Sequence, residues 1–237
     1  MTPAGGAERS SIGGLLEVAM GIARRLMSGA GAFLVGGLLI WAMAWVIDLN
    51  LHLQRVAVDP GGHSHGGGDA LIRINFPMTG FPLILVGMGS LLGLDRLLYD
   101  RRAALAFFAG VLFAVDGLAH AFAFNDHINE PYAAALFAVV APAQILIGVA
   151  MPFLSRRFDP VWLLAALGLL AVYVVSRTVY FPALNMPEAV DGLGIFSKVL
   201  EVAFIWLTLL NIRAGAQPAA AKPRPSPGGS SSEPQQS

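Results

Sequence analysis

The chain has 237 residues, of which 56% are hydrophobic and 13% are charged, a balance typical of proteins that fold in lipid. Its 15 Lys and Arg residues equal its 15 Asp and Glu residues in number. The basic residues are scattered, so we expect no nucleic-acid partner. Cysteine is absent from the sequence, which excludes disulfides, thiolate metal ligands and cysteine nucleophiles.

The N-terminal segment is polar at first and then amphipathic. Apolar residues recur at helical spacing between Ile12 and Met27, and charged residues interrupt them. This pattern predicts a helix that lies on the inner leaflet without crossing the membrane. Residues 1–29 are therefore predicted to be a cytoplasmic leader with an interfacial amphipathic helix. An ordinary leader and a cleaved signal peptide are the alternatives.

Six apolar segments follow, each long enough to cross about 30 Å of hydrocarbon as a helix. These predicted spans cover residues 30–51, 76–95, 103–124, 131–154, 160–179 and 194–213. The sequence thus predicts an all-α integral membrane bundle over residues 30–213. Residues 214–237 are rich in Pro, Ser, Gly and Gln and are predicted to form a disordered cytoplasmic tail.

The basic residues predict the orientation of the bundle. With six spans, 11 of the 15 Lys and Arg residues fall on one side of the membrane. The other side holds Arg55, Arg73, Arg177 and Lys198. Because positive residues are retained in the cytoplasm, both termini are predicted to lie inside. Membrane lipid is the expected contact, with a homo-oligomer or the partners of a membrane complex as further options.

All five histidines then lie on or near the outer face, and two of them share a motif. Span one ends with Asp48 and His52, and span three carries Asp116 and His120, both in the pattern Asp-x-x-x-His. A spacing of four places each pair on one helical face, about 6 Å apart along the axis. Spans one and three run in the same direction, so we expect the two pairs at similar depth. Ionisable groups inside a membrane usually indicate a functional site.

Two imidazoles and two carboxylates would form a nitrogen and oxygen ligand set that suits zinc, manganese, iron or copper(II). Glu201 in span six is a candidate fifth ligand or an orienting residue. In a structural alternative, each Asp accepts a hydrogen bond from the His on its own helix. A proton or substrate pathway is another. A haem between His52 and His120 is disfavoured, because the carboxylate one turn from each ligand would crowd the porphyrin.

Two further groups of residues are candidates for weaker roles. His63 and His65 lie in a Gly-rich loop, where weak metal capture is an option and a loop without function is preferred. Arg177 ends span five, and Lys198 and Glu201 begin span six. These three are predicted to form an ion-pair network that joins the two helices. In the alternative, Arg177 binds an anionic headgroup.

The sequence contains no phosphate-binding loop, nucleophile elbow or His-Glu-x-x-His motif. Whether the protein is an enzyme therefore stays open, and we lean against it. The leading hypothesis is an outward-facing Asp/His site that binds a divalent metal, with the cofactor otherwise unknown. A small proton-coupled transporter and a structural subunit of a membrane complex are the alternatives.

Short motifs near the ends of the spans carry a family resemblance. They are Ser176-Arg177-Thr178-Val179, the segment GLGIFSKVLE at residues 192–201, and residues 48–53. In these motifs the chain resembles a group of uncharacterised bacterial polytopic membrane proteins with about six spans. The resemblance implies this topology and a multi-pass location in the bacterial cytoplasmic (inner) membrane. It implies no activity.

Overall fold

The computed structural model describes residues 20, 21, 24, 27–58, 67–178 and 192–216. Within these ranges the chain is all-helical. The helices are α1 (Gly29–Val58), α2 (Gly67–Leu92), α3 (Leu94–Tyr99), α4 (Arg101–Asp126), α5 (Pro131–Ala150), α6 (Asp159–Thr178) and α7 (Gly192–Ala216). Two single turns of 3-10 helix, Met151–Phe153 and Arg156–Phe158, join α5 to α6. Most of the predicted N-terminal helix, the loop with His63 and His65, and most of the predicted tail lie outside the described residues.

Six of these helices, all except α3, are long and apolar enough to cross a membrane. The prediction of an all-α protein with six spans is therefore confirmed. The second predicted span divides at Gly93, which separates α2 from the short helix α3. Gly93 has a φ of 95°, a left-handed conformation that glycine adopts without steric cost.

Helix α4 lies at the centre of the bundle. In its most apolar 18-residue window 72% of the residues are buried, whereas the other five spans reach at most 28%. It packs against α5 and α7, and less extensively against α1 and α2, while α6 packs mainly on α7. Because α4 is shielded from lipid on most sides, polar side chains on it can be surrounded by protein. Below, the outer end of the bundle is the end predicted to face outside, where α1 ends.

Glycines set the spacing of two antiparallel helix pairs. In the α1–α2 pair, a Cβ atom on Gly37 would lie 2.6 Å from the carbonyl oxygen of Gly80. In the α4–α5 pair, a Cβ atom on Gly148 would lie 2.5 Å from the backbone nitrogen of Ala114. Small residues allow transmembrane helices to approach until their backbones touch. Both pairs are therefore in contact along their backbones, which fixes the position of α5 beside α4.

We expect Gly148→Ala to destabilise the protein by about 1–3 kcal/mol, because the added methyl group must push α5 away from α4. Gly168→Ala is the matched control, since a Cβ atom on Gly168 in α6 meets no described atom within 4 Å. The measurement is thermal unfolding of the two purified variants in detergent. Equal unfolding temperatures for both variants would contradict the close contact of α4 and α5.

Candidate functional site

Three ionisable side chains meet in the bundle. Asp116 and His120 lie one turn apart on α4, and Glu201 approaches them from α7. Their exposed fractions are 1%, 6% and 0%. One potential ligand atom from each residue lies within 4.8 Å of the other two. The structure therefore brings together three of the five residues that the sequence predicts as metal ligands.

Gln144 of α5 orients the two residues of α4. Its amide nitrogen donates a hydrogen bond to Asp116 Oδ2 at 2.6 Å, and its amide oxygen lies 2.6 Å from His120 Nδ1. Since a carboxylate only accepts, the amide orientation is fixed, and its oxygen must accept from the imidazole. A neutral His120 consequently carries its proton on Nδ1. Its Nε2 atom then keeps a lone pair for a proton or a metal.

Ser197 of α7 completes the contacts of Asp116. Its hydroxyl donates to Asp116 Oδ1 at 2.6 Å and lies 3.5 Å from His120 Nε2. A serine hydroxyl has one proton, so the same group cannot also donate to the imidazole. Glu201 Oε1 lies 3.9 Å from His120 Nε2. Two bonds of about 2.1 Å to a shared ion allow at most about 4.2 Å between the ligand atoms, so these two atoms fit one metal.

Lys198 contributes a cation to the same place. Its ammonium group donates a hydrogen bond to Glu201 Oε1, while the buried Glu201 Oε2 has no hydrogen-bond partner among the described residues. When His120 is neutral and both carboxyl groups are ionised, the carboxylates of Asp116 and Glu201 outnumber the single ammonium. One negative charge is left in excess in a region without bulk water. Such a charge favours an additional cation or proton.

An aromatic ring separates this cluster from the outer turn. Phe137 of α5 stacks on His120 with 5.5 Å between ring centroids, and it also stacks on His127 at 5.7 Å. His127 lies beside Glu130, with 3.1 Å between the imidazole Nδ1 and a carboxylate oxygen. His127, in the turn after α4, is therefore linked to the buried cluster through Phe137.

Asp48 belongs to a second cluster, which we call the Arg73 clamp and which consists of Asp48, Arg73, Asn125 and Asp126. The guanidinium of Arg73 makes two hydrogen bonds to Asp48, at 2.8 and 2.9 Å, and two to Asp126, at 2.8 and 2.6 Å. Asn125 also donates to Asp48 Oδ2 at 2.8 Å. Bidentate pairs of this kind hold planar groups in a fixed geometry. The clamp thus joins α1, α2 and α4 near the outer end.

The clamp explains why the two Asp-x-x-x-His motifs do not converge. Asp48 is level with Asn125, nine residues beyond Asp116 on α4, which corresponds to about 14 Å along the helix axis. The expectation that the motifs lie at similar depth does not match this register of α1 against α4. Both oxygens of Asp48 are bonded to Arg73, and the half-buried His52 lies one turn farther along α1. Neither residue contributes an atom to the cluster around His120.

The predicted ion-pair network of α6 and α7 is arranged around Tyr173. Lys198 and Glu201 form a pair within α7. The Lys198 ammonium lies 5.1 Å from the centre of the Tyr173 ring, and the Arg177 guanidinium lies 4.7 Å from it. Arg177 also donates to the hydroxyl of Ser176 at 3.2 Å. Both cations therefore contact the ring of Tyr173, and Lys198 also contacts the carboxylate of Glu201.

Sequence reasoning missed Gln144, Ser197 and Arg73 as partners in these clusters. Gln144 carried a usable signal, since it is an uncharged polar amide within an otherwise apolar span. Arg73 was assigned to a loop because the predicted second span begins at residue 76, whereas α2 begins at Gly67. Ser197 has no distinguishing pattern, and only the packing of α7 against α4 reveals its role.

No protein-family model matches the chain, and no curated protein or solved structure is significantly similar to it. The resemblance to bacterial polytopic membrane proteins is supported only as far as six candidate spans. A function for the protein must therefore be inferred from the geometry of its buried polar side chains.

Replacing Arg73 with Met should reduce the free energy of unfolding by about 3–5 kcal/mol, because the buried carboxylate of Asp48 loses its cation. Adding Asp48→Asn to that variant should recover part of the loss. Arg101→Met, at an exposed position, serves as the control. Thermal unfolding in detergent measures all three proteins. If Arg73→Met unfolded at the same temperature as Arg101→Met, the Arg73 clamp would have no role in stability.

Proposed function

We propose that this multi-pass membrane protein binds a divalent metal ion at Asp116, His120 and Glu201, and that the site is reached from the outer face of a bacterial cytoplasmic membrane. The observation that carries the proposal is the meeting of three potential ligand atoms within 4.8 Å in the most buried part of the bundle. Ionisable residues are costly in a membrane interior, and their convergence there is typical of functional sites.

The type of ligand favours particular metals. One imidazole nitrogen and two carboxylates form a mixed nitrogen and oxygen set that suits Mn²⁺, Fe²⁺ or Zn²⁺. Gln144 supports this assignment, because a metal-bound histidine commonly donates its second ring proton to a neighbouring acceptor. The hydrogen bond from His120 Nδ1 to the Gln144 amide oxygen has this arrangement and leaves Nε2 available.

Lys198 is expected to act as an internal competitor of the metal. Its ammonium contacts Glu201 Oε1, the same atom that lies 3.9 Å from His120 Nε2. When no metal is bound, this ammonium neutralises part of the carboxylate charge. When a metal binds, the ammonium must leave Glu201. The ammonium already lies 5.1 Å from the centre of the Tyr173 ring, and this contact can hold it after it leaves Glu201.

Proton handling is the second candidate function, and it is favoured by the charge of the same cluster. With a neutral His120 and two ionised carboxylates, the cluster has one negative charge in excess, and a single proton on His120 Nε2 or on Glu201 would balance it. This candidate corresponds to a small proton-coupled transporter. It differs from the first in requiring no bound metal, so elemental analysis separates the two.

Protein purified without a polyhistidine tag and equilibrated with Mn²⁺ or Zn²⁺ should retain near-stoichiometric metal after desalting. His120→Ala and Glu201→Gln should each lower the affinity by at least about 100-fold, because each removes a ligand. His52→Ala is the matched control from the other Asp-x-x-x-His motif and should bind like the wild type. Elemental mass spectrometry measures the metal, and thermal unfolding verifies the fold. A wild-type protein without metal, or an unaffected His120→Ala variant, would rule out the site.

Lys198→Met should raise the metal affinity by about 10- to 100-fold, since the substitution removes the charge repulsion of the competing ammonium while keeping an apolar stem of similar length. Lys198→Arg keeps the positive charge and should not increase the affinity. Titration calorimetry with Mn²⁺ compares the two variants with the wild type. If Lys198→Met bound more weakly than the wild type, Lys198 would be a supporting residue of the site.

A further inference from the structure

The face of α7 that packs against the bundle carries a line of buried polar side chains. The line consists of four polar residues, Ser197, Glu201, Thr208 and Asn211, with Phe204 in its middle. Successive members are four, three, four and three residues apart. In chain order, their exposed fractions are 4%, 0%, 0%, 2% and 3%. The line covers about 21 Å along the helix axis, against about 30 Å of hydrocarbon. Polar groups thus continue from the metal site toward the inner end, with one phenylalanine between them.

The inner end of this line forms a second polar group with α6. Asn211 donates a hydrogen bond to the buried carboxylate of Asp159 at 2.8 Å. The hydroxyl oxygen of Thr208 and the amide oxygen of Asn211 are buried without a hydrogen-bond partner among the described residues. A buried polar atom without a partner is costly. Asn211 contacts the carboxylate, and Thr208 precedes Asn211 by three residues on the same face of α7. We therefore expect the two oxygens to face a ligand, and a cation suits them together with the carboxylate.

The two polar groups share an arrangement of charges. In the outer group, Lys198 lies three residues before Glu201 and pairs with it. In the inner group, Arg156 lies three residues before Asp159, with 3.8 Å between Nη1 and Oδ1. Each carboxylate therefore has a nearby basic residue that balances its charge when no other cation is present. Such a residue lets a cation bind and leave without exposing a lone buried charge.

A pair of stacked rings separates the two groups. Phe204 of α7 stacks on Phe113 of α4, with ring centroids 4.5 Å apart and ring planes inclined by 20°. Both rings are at most 2% exposed. Glu201 and Thr208 are seven residues apart, about 10.5 Å along the axis, and the ring of Phe204 lies between them. The stacked pair therefore lies on the direct line between the two groups.

We propose that the line of buried residues along α7 marks a transport path for a divalent metal ion, with Phe113 and Phe204 as its closed gate. This inference rests on the proposed metal site, which is its outer binding position. The inner position is formed by Asp159, Thr208 and Asn211. Its ligands are all oxygen atoms, which favour Mn²⁺ over softer metals, so Mn²⁺ is the ion that both positions accommodate.

The test measures Mn²⁺ uptake into liposomes that contain the full-length protein and a trapped fluorescent dye quenched by Mn²⁺. Phe204→Ala should accelerate uptake several-fold, because it removes half of the stacked pair. Phe108→Ala changes an exposed phenylalanine of α4 and should leave uptake as in the wild type. The double change Thr208→Val with Asn211→Leu should slow uptake several-fold in either background. Equilibrium Mn²⁺ binding at the outer site should not change in that variant.

Three results would overturn the path. Intact Mn²⁺ binding without uptake in the wild type and in Phe204→Ala would leave a binding site that does not transport. Uptake that persists after the changes at Thr208 and Asn211 would remove the inner position. Proton entry without Mn²⁺ uptake, followed with a trapped pH-sensitive dye, would make the path one for protons. A loss of Mn²⁺ binding itself would instead overturn the proposed function, and the inference with it.

Discussion

The arrangement around α4 follows from one constraint, which is that the carboxylate of Asp116 lies where no bulk water can solvate it. Ser197 and Gln144 replace water as donors, one to each carboxylate oxygen. These side chains are short and can reach Asp116 only if α5 and α7 lie close to α4. Gly117 provides that closeness on the α5 side, because a Cβ atom there would lie 2.8 Å from the Cβ atom of Gln144. Gly117 therefore allows the helix approach that brings Gln144 within hydrogen-bond distance of Asp116.

The two aspartates of the repeated motif accept hydrogen bonds from different kinds of donor. Asp48 is bonded through both oxygens to Arg73, a fixed cation that it shares with Asp126. Asp116 receives neutral donors only, and its charge stays available to a proton or an ion. The clamp built on Asp48 holds α1, α2 and α4 together near the outer end.

The spans could be predicted from the sequence because length and apolar composition are local properties. Asp116, His120 and Glu201 could be selected because ionisable residues are rare in such spans. The sequence could not show whether Asp48 lies near these three residues. A spacing of four within one helix carries no information about the register between helices. The contacts of Gln144 and Ser197 depend on the rotation of α5 and α7 about their axes. That rotation is set by close glycine contacts and ring packing, which involve residues far apart in the chain.

The packing also indicates which helices can move. Glycine contacts close the α1–α2 and α4–α5 pairs backbone against backbone, so neither pair can slide without steric overlap. Helix α7 instead meets α4 through side chains, with Phe204 against Phe113 at the centre and hydrogen bonds at the outer end. Helix α6 is expected to move together with α7, because it packs mainly on that helix. Its Tyr173 and Asp159 contact Lys198 and Asn211 of α7. A shift of α6 and α7 against α4 would separate the stacked rings and change the outer polar group, whereas the inner group would move as a unit because its residues all lie on α6 and α7.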